Sequence, residues 1–260
     1  MIRAELHCHT TASVDGMMTP EGMLRAARLQ GINVVAVTDH DTQEGAAEVR
    51  RWFAKQGADI QVLVGEERTL DSGCHLMGLF LREPLVATDL AGVVEEVRSQ
   101  GGLVLVPHPF RRKDGLLGPR GDVEAVRGMA DAMEAHNAKG SFEDNERGRA
   151  LRDWGPVFGG SDAHYEADLG LCVNELDEVG SEGVEGALRA ALMGQGAGLR
   201  IMARRQKAGS GERKYAPGYY AVRRYAKLPK VLLPGAKKLY RWYWNARFGG
   251  RMHPREEIFS

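Results

Sequence analysis

Residues 33–41 read NVVAVTDHD, an apolar run of strand length that stops at a threonine and three polar residues able to bind metals or protons, Asp39, His40 and Asp41. Valine-rich segments without polar alternation suit strands covered on both faces, as in parallel sheets. The same punctuation recurs along the chain. IRAEL runs into His7 and His9, IQVLVG into Glu66 and Glu67, LVLVP into His108, DAMEA into His136 and Asn137, and VFGGS into Asp162 and His164. A further strand is expected around HLMGLFL, which begins at His75. Helical patterns separate these runs. Thr19-Pro20-Glu21 has the form of an N-cap followed by proline in the first helical position, and Gly31 that of a C-cap. Further helices are expected at 42–57, around LAGVVEEVRSQ, near 123–129 and 144–154, and at 183–193. This alternation predicts an α/β fold with parallel strands. In barrels of such strands the C-terminal strand ends form the active-site face, so the polar endings are expected to meet on one rim.

Composition sets the outer bounds. The chain has 260 residues, 43% hydrophobic and 27% charged, enough for one substantial core. No apolar run suits a signal peptide or a spanning helix. Cys8, Cys74 and Cys172 are widely spaced and odd in number, which fits free thiols in a reducing compartment. A cytoplasmic protein is the expectation. The formal net charge of zero conceals a division: from Arg200 onward there are 16 Lys and Arg against 3 Asp and Glu. A catalytic body of residues 1–199 is therefore expected to precede a basic extension, residues 200–260, which holds 10 of the 18 aromatic residues. Such a segment can contact an anionic membrane surface or nucleic acid, or wrap the acidic body.

Six of the eight histidines (His7, His9, His40, His75, His108 and His164) fall at or near strand candidates. His7 and His9, two apart in an extended segment, project from one face, and Asp162 with His164 repeats the spacing. One such pair is weak evidence, because a polar strand face gives the same pattern. Two pairs joined by DHD, GEE and a proline-flanked His108 point to shared cations. Imidazoles with carboxylates and no convincing thiolate suit Mn²⁺, Fe²⁺ or Zn²⁺. Cys8 between two ligand candidates reads as a small buried hydrophobe.

In these residues the chain resembles the polymerase-and-histidinol-phosphatase (PHP) family of metal-dependent phosphoesterases. The matching segments, in the family's order, are His7-Cys8-His9-Thr10, Asp15-Gly16, Thr38-Asp39-His40-Asp41, Gly65-Glu66-Glu67, Gly73-Cys74-His75-Leu76, Pro107-His108-Pro109, Glu134-Ala135-His136-Asn137 and Gly160-Ser161-Asp162-Ala163-His164. One departure is Glu5, where the family usually carries Asp. The resemblance implies a distorted (β/α)7 barrel and about three divalent ions. His7, His9, Glu67 and Asp162 would hold the first. Glu67 would bridge to a second held by His75 and His108, and Asp15, His40 and His164 would hold the third. The family's GxE spacing selects Glu67, with Glu66 one residue away as the alternative. Asp39, Arg111 and Asn137 are the candidate catalytic residues beside the ligands. Arg111, or its neighbour Arg112, would anchor a phosphate oxygen or be an exposed loop charge, whereas Asp39, with Asp41, would orient His40 or a metal-bound water or serve an ordinary loop turn. The expected activity is hydrolysis of phosphomonoesters or of short nucleotides and oligonucleotides by a metal-activated water. The competing expectations are a catalytically silent module of this fold and a protein that binds nucleic acid or a membrane surface.

Overall fold

The structure, a computed structural model, describes residues 1–203 apart from 120, 122 and 178–180. The basic extension with its expected membrane or nucleic-acid contacts lies, from residue 204 on, outside the described residues. The elements run β1 (Ile2–Cys8), α1 (Pro20–Gln30), β2 (Val34–Val37), α2 (Glu44–Lys55), β3 (Gln61–Thr69), β4 (His75–Leu79), α3 (Leu90–Ser99) and β5 (Leu103–Val106). They continue with α4 (Val123–Met129), β6 (Ala132–Asn137), α5 (Phe142–Arg149) with a 3-10 turn at Ala150–Asp153, β7 (Val157–Gly160), β8 (Cys172–Leu176), α6 (Gly183–Leu192) and β9 (Arg200–Ala203). The start of α1 follows from its sequence. Thr19 Oγ1 accepts from the Gly22 amide at 3.1 Å, Pro20 opens the helix, and Gly31 closes it at φ 64°.

Among the described residues the strands form one sheet in the order β7-β6-β5-β4-β3-β2-β1-β8-β9. The pairs β1–β2, β2–β3, β5–β6 and β6–β7 are parallel, as expected. The sequence did not announce that β4 and β8 run against the rest. The short turn of residues 70–74 leaves no length for a crossover helix between β3 and β4, so the chain must fold back on itself. Reversal puts the first residue of β4, His75, on the rim where parallel strands place their last. The seven remaining strands share one direction, and the nearly closed sheet is a distorted barrel of the expected type. β9 was also unannounced. It pairs with β8, so the sheet continues past the division expected at 199/200.

Closure uses side chains where backbone pairing runs out. The first half of β1 pairs with β8, while its far end bridges in parallel to Ala163. There the His9 amide donates to the Ala163 carbonyl at 2.8 Å. Below this bridge, the Asn174 side chain accepts from the Gly159 amide at 2.8 Å and donates to the Gly159 carbonyl at 2.7 Å. It thereby supplies β7 with the paired contacts a neighbouring strand would give. The barrel interior is packed by residues such as Leu6, Ala36, Leu63, Leu105 and Phe158. Leu188, Ala191 and Leu192 of α6 join this cluster with Ile2 and Leu176, plugging the end away from the rim. On the outer face, Val35 and Val37 pack under α1 and α2 against Met23, Ala27, Val49 and Phe53.

Candidate metal centre

A local irregularity in β1 makes the site possible. Between Glu5 and Cys8 the register with β2 slips by one residue, since Glu5 faces Val35 and Cys8 faces Val37. Leu6 can therefore join the apolar interior, while the adjacent His7 also turns inward and His9 follows two residues later. A similar slip in β6, between Glu134 and His136, brings Glu134 and Asn137 together, with Asn137 Nδ2 donating to Glu134 Oε2 at 2.9 Å. Backbone strain accompanies this aiming. His108 and Asp162 sit at φ 28° and 51°, a left-handed conformation that side chains rarely adopt, and both point into the site.

Glu67 is the hub. Its Oε2 lies 3.2 Å from His7 Nε2, 3.2 Å from His9 Nε2 and 3.5 Å from His40 Nδ1. Its Oε1 lies 2.9 Å from His75 Nδ1 and 2.8 Å from His108 Nε2. One fully buried carboxylate thus meets imidazoles carried by β1, the loops after β1, β2 and β5, and the start of β4. Asp162 Oδ1 stands 3.8 Å from His7 Nε2 and 3.4 Å from His9 Nε2. Asp15 Oδ2 stands 3.3 Å from His164 Nε2 and 3.9 Å from His40 Nε2. All nine residues expected as ligands therefore gather in one cavity. Glu66 points elsewhere: its Oε2 accepts from the Leu85 amide and from Gln43 Nε2.

Burial and the mutual pull of imidazoles and carboxylates shape the charges at the site. Burial would raise the pKa of Glu67, but His40, His7 and His75 hold it well below the carboxylate range. For Asp162 burial is likewise outweighed, by Arg111 and His7, and for Asp15 by His164 and His40. His40 is pushed down to about 4, by burial first and by His9 and His75 next, against the pull of Glu67 and Asp15. Burial also opposes a proton on His9, yet Asp162 and Glu67 carry its pKa up to about 9. His9 Nε2 and Asp15 Oδ1 are buried without a hydrogen-bond partner, although His9 Nε2 faces two carboxylates. Buried polar atoms left in this state normally have a ligand to meet. The donor set of imidazole nitrogens and carboxylate oxygens therefore fits divalent cations held between its members.

The three candidate catalytic residues part ways. Arg111 reaches the cavity, with a terminal guanidinium nitrogen 2.6 Å from Asp162 Oδ2 and 3.1 Å from Asn137 Oδ1. Arg112 is exposed. Asn137 lies beside Glu134 and Asp162, while His136 stays out of the cluster. The Asp39 carboxylate accepts from the Thr10 amide at 2.6 Å and the Thr10 hydroxyl at 2.7 Å, so it fixes the loop after His9. A Cβ on Gly45 would strike both Asp39 and Thr10, which is why α2 opens with glycine there. Glu5 accepts from the amides of His7, Ser161 and Gly170, tying β1 to the strand and loop that close the barrel. Its longer side chain spans that gap from outside the cavity, and burial pushes its pKa up to about 7.

Sequence reasoning passed over three buried groups. Glu134 Oε1 stands 3.0 Å from His7 Nδ1, and Oε2 accepts from the His108 amide at 2.5 Å. Asp114 lies against His108, and Lys139 Nζ lies 2.9 Å from Asp168 Oδ2 and 3.4 Å from His164 Nδ1. Glu134 did stand in a matching segment, and its place three residues before Asn137 at the end of β6 was the available signal. Nothing local marks Asp114 or Lys139.

Fold and site together define a barrel with a histidine-and-carboxylate rim suited to divalent cations. The PHP domain model matches residues 5–102, and the PHP-associated model matches residues 149–193. An uncharacterised protein of Methanocaldococcus jannaschii is 32% identical over 130 residues, 46% of this chain and 74% of that protein. The chain belongs to the PHP family. A 5'-3' exoribonuclease of Haemophilus influenzae is 38% identical over 78 residues, which span 29% of this chain and only 27% of that enzyme. Among solved structures, a two-domain protein of Bacteroides vulgatus containing a predicted PHP-like metal-dependent phosphoesterase aligns with a TM-score of 0.59 at 20% identity, covering 72% of this chain and 62% of that one. At that identity the likeness is one of fold. Among the described residues no helix is long and apolar enough to cross a membrane.

Proposed function

We propose that this chain is a metal-dependent hydrolase of phosphoric ester bonds, acting on phosphomonoesters or on short nucleotides and oligonucleotides. The observation that carries the reading is the position of Glu67, one carboxylate whose two oxygens face two separate groups of histidines. Such a carboxylate can bridge neighbouring cations. His7, His9, Glu67 and Asp162 would hold one ion, Glu67, His75 and His108 a second, and Asp15, His40 and His164 a third. The mixture of imidazole and carboxylate favours manganese, iron or zinc. Held by these residues, such ions would supply Lewis acidity toward a phosphoryl oxygen and would lower the pKa of a bound water to about 7.

The chain's own residues supply position and charge. Glu134 accepts from His7 Nδ1, which directs the other ring nitrogen into the cavity. Arg111 is held by Asp162 and Asn137 at the edge of the cavity, where its planar fork can take a non-reacting phosphate oxygen. Asp39, through Thr10, holds the loop that carries Asp15. Ser13 Oγ lies 3.2 Å from His9 Nδ1 and accepts from the His40 amide at 2.8 Å, so it braces two of the ligand histidines, and attack by water requires no serine or cysteine nucleophile. The name of the exoribonuclease relative supports a nucleotide or oligonucleotide leaving group. Full-length protein loaded with Mn²⁺, Fe²⁺ or Zn²⁺ is expected to release phosphate or mononucleotide from a panel of mononucleotides, sugar phosphates, histidinol phosphate and short oligonucleotides, and a chelator is expected to stop it. Metal-loaded protein that cleaves no member of the panel overturns the reading.

A further inference from the structure

The loop after β5 returns a carboxylate to the back of the site. From His108 to Leu117 the chain forms a compact turn, in which the Gly115 amide donates to the Arg111 carbonyl at 2.8 Å and the Leu117 amide to the Pro109 carbonyl at 2.8 Å. Asp114 sits within it, 4% exposed. It touches both histidines on the Oε1 side of Glu67, by different atoms. Its backbone carbonyl accepts from the His75 amide at 2.9 Å. Its Oδ1 lies 3.5 Å from His108 Nδ1, and neither of these two buried atoms has a hydrogen-bond partner. His75, His108 and Asp114 also bring one ligand atom each within 4.8 Å of one another.

An imidazole can offer a lone pair from one nitrogen only when the proton rests on the other. His108 Nε2 faces Glu67 Oε1 at 2.8 Å, so Nδ1 must carry the proton if Nε2 is to bind a cation. Asp114 Oδ1 is the carboxylate oxygen that the ion-pair geometry sets against that Nδ1. An approach of about half an ångström turns the contact into a charge-assisted hydrogen bond.

We propose that Asp114 is a positioning residue that fixes the tautomer of His108 and the place of His75, and thereby sets how tightly the Glu67–His75–His108 corner holds its cation. The inference rests on the metal-centre reading above, and concerns one corner of that centre. Glu134 performs the equivalent task for His7 on the Oε2 side.

The test uses full-length protein loaded with zinc and titrated with a chelator, reading retained metal per chain. Asp114→Asn keeps the size and the backbone carbonyl and removes the charge. Loss of an outer carboxylate typically weakens metal affinity by roughly 10- to 100-fold. In Asp114→Asn one class of zinc is therefore expected to leave at roughly 10- to 100-fold less chelator while the remainder leaves as in the native chain. In ¹⁵N spectra the His108 Nδ1 proton of the zinc-loaded native protein is expected downfield, and shifted or lost in Asp114→Asn. A variant that releases all its zinc in step with the native chain, with the His108 proton unmoved, overturns the inference and leaves the metal-centre reading standing. A native chain that binds no zinc overturns both. Should Asp114→Asn fold poorly by circular dichroism, Asp114→Glu provides the second variant. It keeps the charge, and is expected to retain its zinc more tightly than Asp114→Asn; equal loss in the two overturns the proposal.

Discussion

At the end of the barrel away from the rim, Leu188, Ala191 and Leu192 lie among Ile2, Leu103 and Leu176. At the rim, six histidines and three carboxylates converge in one cluster, buried except for the half-buried Asp15, His40 and His75. The same strands serve both ends. β1 carries Ile2, Ala4 and Leu6 into the apolar cluster and then, through the one-residue slip, the adjacent His7 into the polar one. Stability and chemistry are thus separated along each strand by a few residues, and the apolar end holds the strands whose last residues must meet at the rim. Buried carboxylates and imidazoles cost free energy unless paired, so the rim draws on the packing beneath it.

Four substitutions probe that separation. Removing the hub has the largest expected effect. Glu67→Ala should lower phosphoester hydrolysis by about 10³-fold or more, roughly 4 kcal/mol of barrier, with metal binding lost in parallel. Phosphate release and bound metal per chain measure it, and near-native activity would end the bridging assignment. Next comes the opposite end. Leu188→Ala should destabilise the fold by about 3 kcal/mol through the cavity it leaves, with the number of metals bound by the folded protein unchanged. Denaturant unfolding with metal analysis checks both halves, and a changed metal count would show that the two ends are coupled. Glu134→Gln removes the charge that fixes His7. It should weaken metal affinity by roughly 10- to 100-fold, about 2 kcal/mol, as read by chelator competition. The smallest effect is expected from Thr19→Ala, which removes the cap of α1. About 1 kcal/mol of stability should go, with activity intact, because the cap touches no residue of the cluster. Activity loss here would mean that the loop from β1 to α1 is tuned more finely than its contacts indicate.

Much of this site could be read before folding was considered. Histidines and acids at the ends of apolar runs are conspicuous because the same ending recurs on six separate runs. The helix boundaries near α1 followed from Thr19, Pro20 and Gly31 in the same local way. For Asp39 the sequence left two roles open. Its neighbours are ligand candidates, yet its side chain leaves the cavity to hold Thr10, 29 positions earlier. Asp114 and Glu134 escaped notice because a carboxylate that supports a ligand looks, in one dimension, like any surface acid. The reversed strands were hidden too, since strand direction depends on how each connection crosses the sheet, and the strand residues carry no mark of it.

The sequence by itself determined the kinds of atoms at the site, the strands that deliver them and the family to which the chain belongs. Those properties reside in residue type, apolar periodicity and order along the chain. Only the tertiary structure decided that Glu67 and not Glu66 is the hub, that His75 reaches the rim from the start of a reversed strand, and that Asp114 and Glu134 stand behind the histidines. These depend on which face a side chain takes after a one-residue slip and on contacts between distant segments, and such distances are set only when the sheet closes.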